Sequence, residues 1–385
     1  MTTITADWLN RSETQAVCKA LTDAGAQALF VGGCVRNSLL EAPVADIDIA
    51  TDALPERVME LAEAAGLKAV PTGIEHGTIT VVSGGEPHEV TTFRRDIETD
   101  GRRAVVAFST DVAEDAARRD FTMNALYATP DGQVIDPLVG LPDLTARRVR
   151  FIGSAQDRIR EDHLRSLRFF RFHAWYGDEQ GGMNKEALAA IAENLDGLSV
   201  LSRERIGAEF LKLLKAPDPA PAVATMRQIG VLQAILPGAD DRALALLVHL
   251  SDRDDPILRL AALGSGFEDA LRLGKTDARR AQRLREAAQD GGPATLGYRL
   301  GADEAAHALA LRAALLEQPL DPEDLDTARD AATQTFPVKA ADLMPDVHGP
   351  ALGDMLRQLE ADWIASGFNL TRDELLARAR DHKKG

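Results

Sequence analysis

The chain has 385 residues, 45% apolar and 27% charged, enough for two or more domains with full cores and typical of an ordinary globular protein. Its net charge of −16, from 60 acidic against 44 basic residues, argues on average against a nucleic-acid partner. Cys18 and Cys34 make neither a disulfide framework nor a zinc site; the opening MTTITADWLNRSETQ lacks the apolar core of a secretory leader, and no apolar run is long enough to span a bilayer, so the expected setting is cytoplasmic, without a membrane partner.

The first predicted strand, ALFV (28–31), runs into a Gly-Gly turn and then a helix. Gly32 and Gly33 let the backbone approach a ligand, the helix start aims N–H groups at it, and Arg36 adds a fixed positive charge one turn in. This is the pattern of a phosphate cradle, without the Walker lysine or GxGxxG spacing, and alone it is equally a plain turn. The next predicted strand, DIDIA (46–50), sets Asp46 and Asp48 on one face and Ile47 and Ile49 on the other. Two like charges about 7 Å apart on a strand either face open solvent or share a cation. Hard Mg²⁺ binds through one or two carboxylates and keeps positions for water and phosphate oxygens. A phosphate cradle directly upstream favours the metal. Together they describe nucleotidyl transfer, with triphosphate on the turn, metal on the strand and attack at the α-phosphate. A helix over Leu54–Ala65 and strands TITVV (78–82) and EVTTFR (89–94) follow, with Glu89 a candidate third carboxylate.

Residues 109–128 read as helical, with Asp111 as N-cap and Glu114 three residues on as in a capping box. In its middle, Arg119 is placed to hold triphosphate, and Asp120 and Asn124 ribose hydroxyls; the bland alternative is surface ion pairing. After about residue 155 strand signals stop. Arg147, Arg148, Arg150, Arg158, Arg160, Arg165, Arg168 and Arg171 crowd one stretch, so the average charge hides a basic middle and an acidic C-terminal part. Arg suits bidentate phosphate and base contacts. A helix is predicted over Ile159–Tyr176, with Asp162 and Arg165 three apart and side by side. Cytosine and adenine both present an amino donor beside a ring-nitrogen acceptor; a carboxylate and a guanidinium can pair with that edge and reject guanine and uracil, which reverse it. Arg168 and Arg171 continue toward phosphate. Further helices are predicted over Lys185–Leu195, Ser202–Leu214, Val223–Leu236, Ala243–Ser251 and Asp277–Ala288, with breaks at 215–222 and 289–295. The expected fold is α+β: a catalytic head (1–140), a base-selecting, RNA-contacting neck (141–214), a helical body (215–300) and a helical tail (301–385) without an assigned ligand.

GGCVRN, DIDIATDA, HGTITVV, EVTTFRRD, DAARRDFTMNAL, DPLVGLPDL and REDHLRSLRFFRF occur in that order over residues 29–172. The set resembles the bacterial class II tRNA nucleotidyltransferase/poly(A) polymerase family, which adds the CCA end to tRNA. The resemblance implies a polymerase-β-like nucleotidyltransferase head, then a helical neck, body and tail that grip the tRNA acceptor arm, with CTP and ATP as substrates. It implies metals on Asp46 and Asp48, and triphosphate and base contacts at Gly33, Arg36, Arg119, Asp162, Arg165, Arg168 and Arg171. ETDGRR (98–103) looks like the flexible loop that lets the pocket switch from C to A. Asn37 and Glu41 depart from the family's usual Asp and Gly, away from the metal and base-reading positions. No His-Asp dipeptide occurs, against an appended HD phosphohydrolase domain. The rivals are poly(A) polymerase or a CC-only or A-only enzyme, a small-molecule nucleotidyltransferase, which would not need the Asp162–Arg165 helix, and a non-catalytic RNA-binding scaffold, against which both aspartates speak. Oligomeric state leaves no trace.

Overall fold

The computed structural model describes residues 2–100, 103–178, 180–251, 253–344 and 346–382. It comprises two compact units, Met1–Ile235 and Leu236–Gly385, the division falling inside the 215–300 segment. The architecture is the α+β one expected: a sheet-containing head followed by helices.

In the first unit, β1 (Leu29–Val31), β2 (Asp48–Thr51), β3 (Lys68–Gly73), β4 (Thr78–Ser83), β5 (Glu86–Thr92), β8 (Tyr127–Ala128) and β9 (Val134–Ile135) form one sheet in the order β3-β4-β5-β2-β1-β8-β9. Among the described residues only β2 and β5 pair in parallel, with Asp48 opposite Glu89 and Ile49 opposite Val90. Ile49 and Val90 are buried, so the alternation of the strands turns Asp48 and Glu89 together to the other face. The helix α1 (Ser12–Thr22) precedes β1, and α2 (Gly33–Leu39) and α3 (Pro55–Ala64) lie between β1 and β2 and between β2 and β3. Leu29, Val31, Ala50, Phe93, Ala125 and Tyr127 belong to one buried core cluster of this unit.

Four predicted elements differ in the structure. β2 begins at Asp48, not Asp46, because its neighbours pair with it only from Asp48 onward. Asp46 stands exposed just ahead of it. The helix predicted over 109–128 ends early: α4 covers Val112–Ala117, and a 3-10 turn at Thr122–Asn124 leads into β8. Pairing of Tyr127 with Val31, and of Phe121 with Phe151, outweighs the helical periodicity. Asp111 does cap α4, accepting from the Ala113 N–H, but Glu114 accepts from the Ser109 hydroxyl instead of closing a capping box. The helix predicted over 159–176 is two, α6 (Ala155–Glu161) and α7 (Leu164–Tyr176), because Asp162 is extended at φ −152°, ψ 106°. The one predicted over 223–236 divides at Gly230, φ 88°, into α10 (Ala220–Gln228) and α11 (Val231–Ile235). A hairpin, β6 (Arg94–Asp100) and β7 (Arg103–Phe108), carries ETDGRR; Gly101 and Arg102 at its centre lie outside the described residues.

The first unit continues through α5 (Leu141–Thr145), α8 (Lys185–Glu193) and α9 (Arg203–Leu214), the last capped by Ser202. α7 is anchored by aromatics: Phe172 and Phe121 lie 4.9 Å apart between centroids, as do Phe121 and Phe151. In the second unit, α12 (Arg242–Leu250), α13 (Pro256–Ala262), α14 (Phe267–Leu271), α15 (Lys275–Gln289), α16 (Pro293–Leu300), α17 (Ala302–Leu316) and α18 (Pro322–Ala331) pack as a helical array. Arg280 bridges α13, α15 and α17 by pairing with Asp255 at 2.6 Å and Glu304 at 2.7 Å. α19 (Ala340–Leu343), α20 (Pro350–Ala365) and α21 (Arg372–His382) close around Trp363, with Phe368 at 4.8 Å and Tyr298 of α16 at 5.5 Å. Among the described residues no helix is long and apolar enough to cross a membrane.

Candidate active site

Asp46 and Asp48 line a cleft of about 690 Å³ with Glu89, Glu86, His88, Thr80 and Arg11. Arg11 is paired with Glu86 at 3.4 Å, which leaves the central carboxylates without a counter-charge from the cleft wall. Burial, and then Glu89 beside it, push the Asp48 carboxyl up to about 6; Arg119 opposes the shift and Asp46 adds to it. The three carboxylates offer oxygen donors, and Asp48 and Glu89 stand opposite each other on paired strands. Both traits fit a hard divalent cation that keeps water or phosphate oxygens in its remaining positions.

Next to the cleft, Gly32 holds the turn at φ 71°, ψ −115°, a conformation that favours glycine. A Cβ there would lie 3.6 Å from Nη1 of Arg119, so this guanidinium sits under the turn. Its other side is fixed: Nε and Nη2 donate to Asp115 at 3.2 and 2.9 Å, and the Tyr127 hydroxyl donates to the same carboxylate at 2.7 Å. Burial alone would raise Asp115, but Arg119 and Tyr127 outweigh it and hold the carboxyl below its ordinary value. Arg36 lies beneath Gly33 and is 6% exposed. It donates to Asn124 Oδ1 at 2.5 Å, Asn37 Oδ1 at 2.8 Å and the Tyr176 hydroxyl at 2.9 Å, over whose ring it stacks at 4.0 Å. Among the described residues no carboxylate pairs with it, and burial pulls its pKa down.

A second hollow of about 310 Å³ is lined by Arg118, Arg119, Asp120, Asp162, Leu164, Arg165, Arg168 and Arg205. It gathers five of the predicted residues. Asp120 is buried, taking Arg168 at 2.5 and 2.8 Å on one oxygen and Asn124 at 3.0 Å on the other, so its carboxylate is already engaged within the protein. Asp162 and Arg165 share the hollow but do not pair with each other. Asp162 accepts from Arg205 at 2.7 Å and from the Leu164 N–H at 3.1 Å. Arg165 engages Nη1 with Glu161 and with the Arg158 carbonyl. Arg171 lies outside this lining, paired with Glu209 at 2.5 Å over the Phe172 ring. Asp115 and Glu161 had a signal in the sequence, each standing four residues before its arginine. Arg205 and Tyr176 had none, since their partners are distant in the chain.

Residues 28–150 match the model of the poly A polymerase head domain, and residues 182–242 that of the probable RNA and SrmB-binding site of polymerase A. The mouse mitochondrial CCA tRNA nucleotidyltransferase 1 is 33% identical over 369 residues, covering 90% of this chain and 85% of that protein. The chain belongs to the CCA tRNA nucleotidyltransferase family. Another member, the CCA-adding enzyme of Lactobacillus delbrueckii subsp. bulgaricus, is 39% identical over 272 residues, 64% of this chain and 67% of its own. The crystal structure of the Bacillus stearothermophilus CCA-adding enzyme in complex with CTP superposes with a TM-score of 0.80 at 28% identity, covering 97% of this chain and 98% of that one. Membership makes the chain a nucleotidyltransferase of the family's α+β fold.

Proposed function

We propose that this nucleotidyltransferase adds C, C and A to the 3′ end of tRNA from CTP and ATP, as a bacterial class II member acting in the cytoplasm. The terminal 3′-hydroxyl of tRNA attacks the α-phosphorus in line; a P–O bond forms to the tRNA, the bond to the β-phosphate oxygen breaks, pyrophosphate leaves and the hydroxyl proton is lost. Asp46 and Asp48, with Glu89 beside Asp48, hold the metal positions. Mg²⁺ held there would lower the pKa of the attacking hydroxyl and neutralise the charge of the leaving group. Arg119 and Arg36, under the Gly32–Gly33 turn, face the triphosphate. Asp162 accepts from the base amine and Arg165 donates to the ring nitrogen. Asp120 and Asn124 hold the ribose side by fixing Arg168 and Arg36, and Arg171 supports the same helix through Glu209.

The observation that carries this reading is the shared position of Arg119, which lines the hollow of Asp162 and Arg165, lies under Gly32 and acts on Asp48. A nucleotide with its base in the hollow therefore has its phosphates at the carboxylates. The head (1–140) and neck (141–214) do this chemistry, while body and tail support the acceptor arm; RNA binding through the arginines is expected to weaken with salt. The test is extension of a tRNA transcript lacking CCA, with Mg²⁺ and each nucleotide alone and then together. Two additions with CTP and a third only when ATP joins support the reading. An ATP ladder moves it to poly(A) synthesis, a stop after CC to a partial enzyme, and tRNA binding without extension to an RNA-binding scaffold.

A further inference from the structure

Five side chains close a ring between the base-reading helix and the phosphate turn. Arg168 of α7 holds Asp120, Asp120 accepts from Asn124, Asn124 accepts from Arg36, and Arg36 reaches Tyr176 at the far end of the same helix. Arg168 and Tyr176 are separated by about 12 Å of helix at ~1.5 Å per residue. The ring thus grips α7 at two points against the turn that carries Gly32 and Gly33. Tyr176 contributes twice, as hydroxyl acceptor at 2.9 Å and as the ring over which the Arg36 guanidinium stacks at 4.0 Å; Phe172 lies 5.3 Å away behind it. Arg36 has no carboxylate paired with it among the described residues, so Tyr176, together with the side-chain oxygens of Asn37 and Asn124, orients a buried cation.

We infer that Tyr176 is a positioning residue for nucleotide binding: it aims Arg36 at the triphosphate and fixes α7, with Arg165, at the matching distance for the base. The inference rests on the nucleotidyl-transfer reading above. The hydroxyl and the ring can be removed separately, which gives the test two steps.

Steady-state extension is measured for Y176F and Y176L with tRNA transcripts lacking CCA. Y176F is expected to raise the KM for CTP and for ATP about fivefold and Y176L more than about tenfold, the loss of one and then two contacts to a cation. KM for tRNA and the melting temperature of Y176F stay as in the parent. Because the ring is closed, Y176F added to N124A costs less than Y176F alone. Unchanged nucleotide KM values in Y176F, or a parallel rise in KM for tRNA, overturn the assignment. Asp48→Asn, assayed alongside, separates the two failures. Extension that survives D48N overturns the carboxylate-site reading on which the inference rests; an inert D48N beside an unaffected Y176F overturns Tyr176 alone.

Discussion

The arginine hollow and the carboxylate cleft sit in the same unit and handle charge in opposite ways. In the hollow each of four guanidiniums has its carboxylate: Arg119 on Asp115, Arg165 on Glu161, Arg168 on Asp120 and Arg205 on Asp162. Their geometry is set before any ligand arrives, which is what discrimination between similar bases demands. In the cleft Asp46 and Glu89 both disfavour the charged form of Asp48, and the arginine in the cleft wall, Arg11, is held by Glu86. Under the proposed function, selectivity is built from self-neutral pairs, whereas the chemistry is left to a charge deficit that an outside cation would complete.

The largest break in this contrast comes from D48N. Removing the half-buried carboxylate is expected to lower kcat by about 10³-fold or more while tRNA binding, read by gel shift, holds. Next is D162N on the other side of the comparison. An amide in place of the carboxylate can still accept one hydrogen bond but presents a donor as well, so CTP over UTP discrimination in single-nucleotide extension is expected to fall about 30-fold with kcat for CTP changed less. D120N tests self-neutrality directly. It leaves Arg168 without its anion and is expected to cost about 2 kcal/mol, seen as about 5 °C in Tm, together with a raised KM for nucleotides.

The smallest effect is one of pH. Arg168 and the bonds from Asn124 and Phe121 outweigh burial and hold Asp120 below its ordinary 3.8. The folded form therefore takes up a proton less readily than the unfolded one, so the stability Asp120 adds is complete above about pH 4 and drains away as pH falls through the folded value. Melting curves from pH 7 to pH 3 should show the gap between parent and D120N narrowing only below about pH 4.

Much of the contrast could be read from the chain, and the misreadings have local causes. Asp46 and Asp48 announced the cleft, but alternation cannot tell where neighbouring strands begin to pair, so the strand was expected two residues early. Arg119, Asp120 and Asn124 were found as a group although the helix expected to carry them stops at Ala117; the residues are held by pairing of Tyr127 in the sheet, a contact that a two-residue strand does not advertise. Asp162 and Arg165 share a hollow as expected, yet through a helix break that separates them and lets Arg205 and Glu161 hold one each. Partners remote in the chain, such as Tyr176 and Arg36, depend on the tertiary fold and have no periodic signature.

The two glycines of the turn answer to different selectors. Alanine at Gly32 is strained by a φ of 71° whatever surrounds it, so the demand for glycine there comes from the chain itself. At Gly33 no such φ applies, and an added methyl would meet only the Arg36 Nη2 at 3.9 Å, an ordinary contact. The protein alone tolerates alanine at Gly33; under the proposed function, what would forbid it is a guest pressed against the backbone. A mutant library sorted first for expression and then for activity should lose changes at Gly32 in the first sort and changes at Gly33 in the second, marking where inheritance guards the fold and where it guards the reaction.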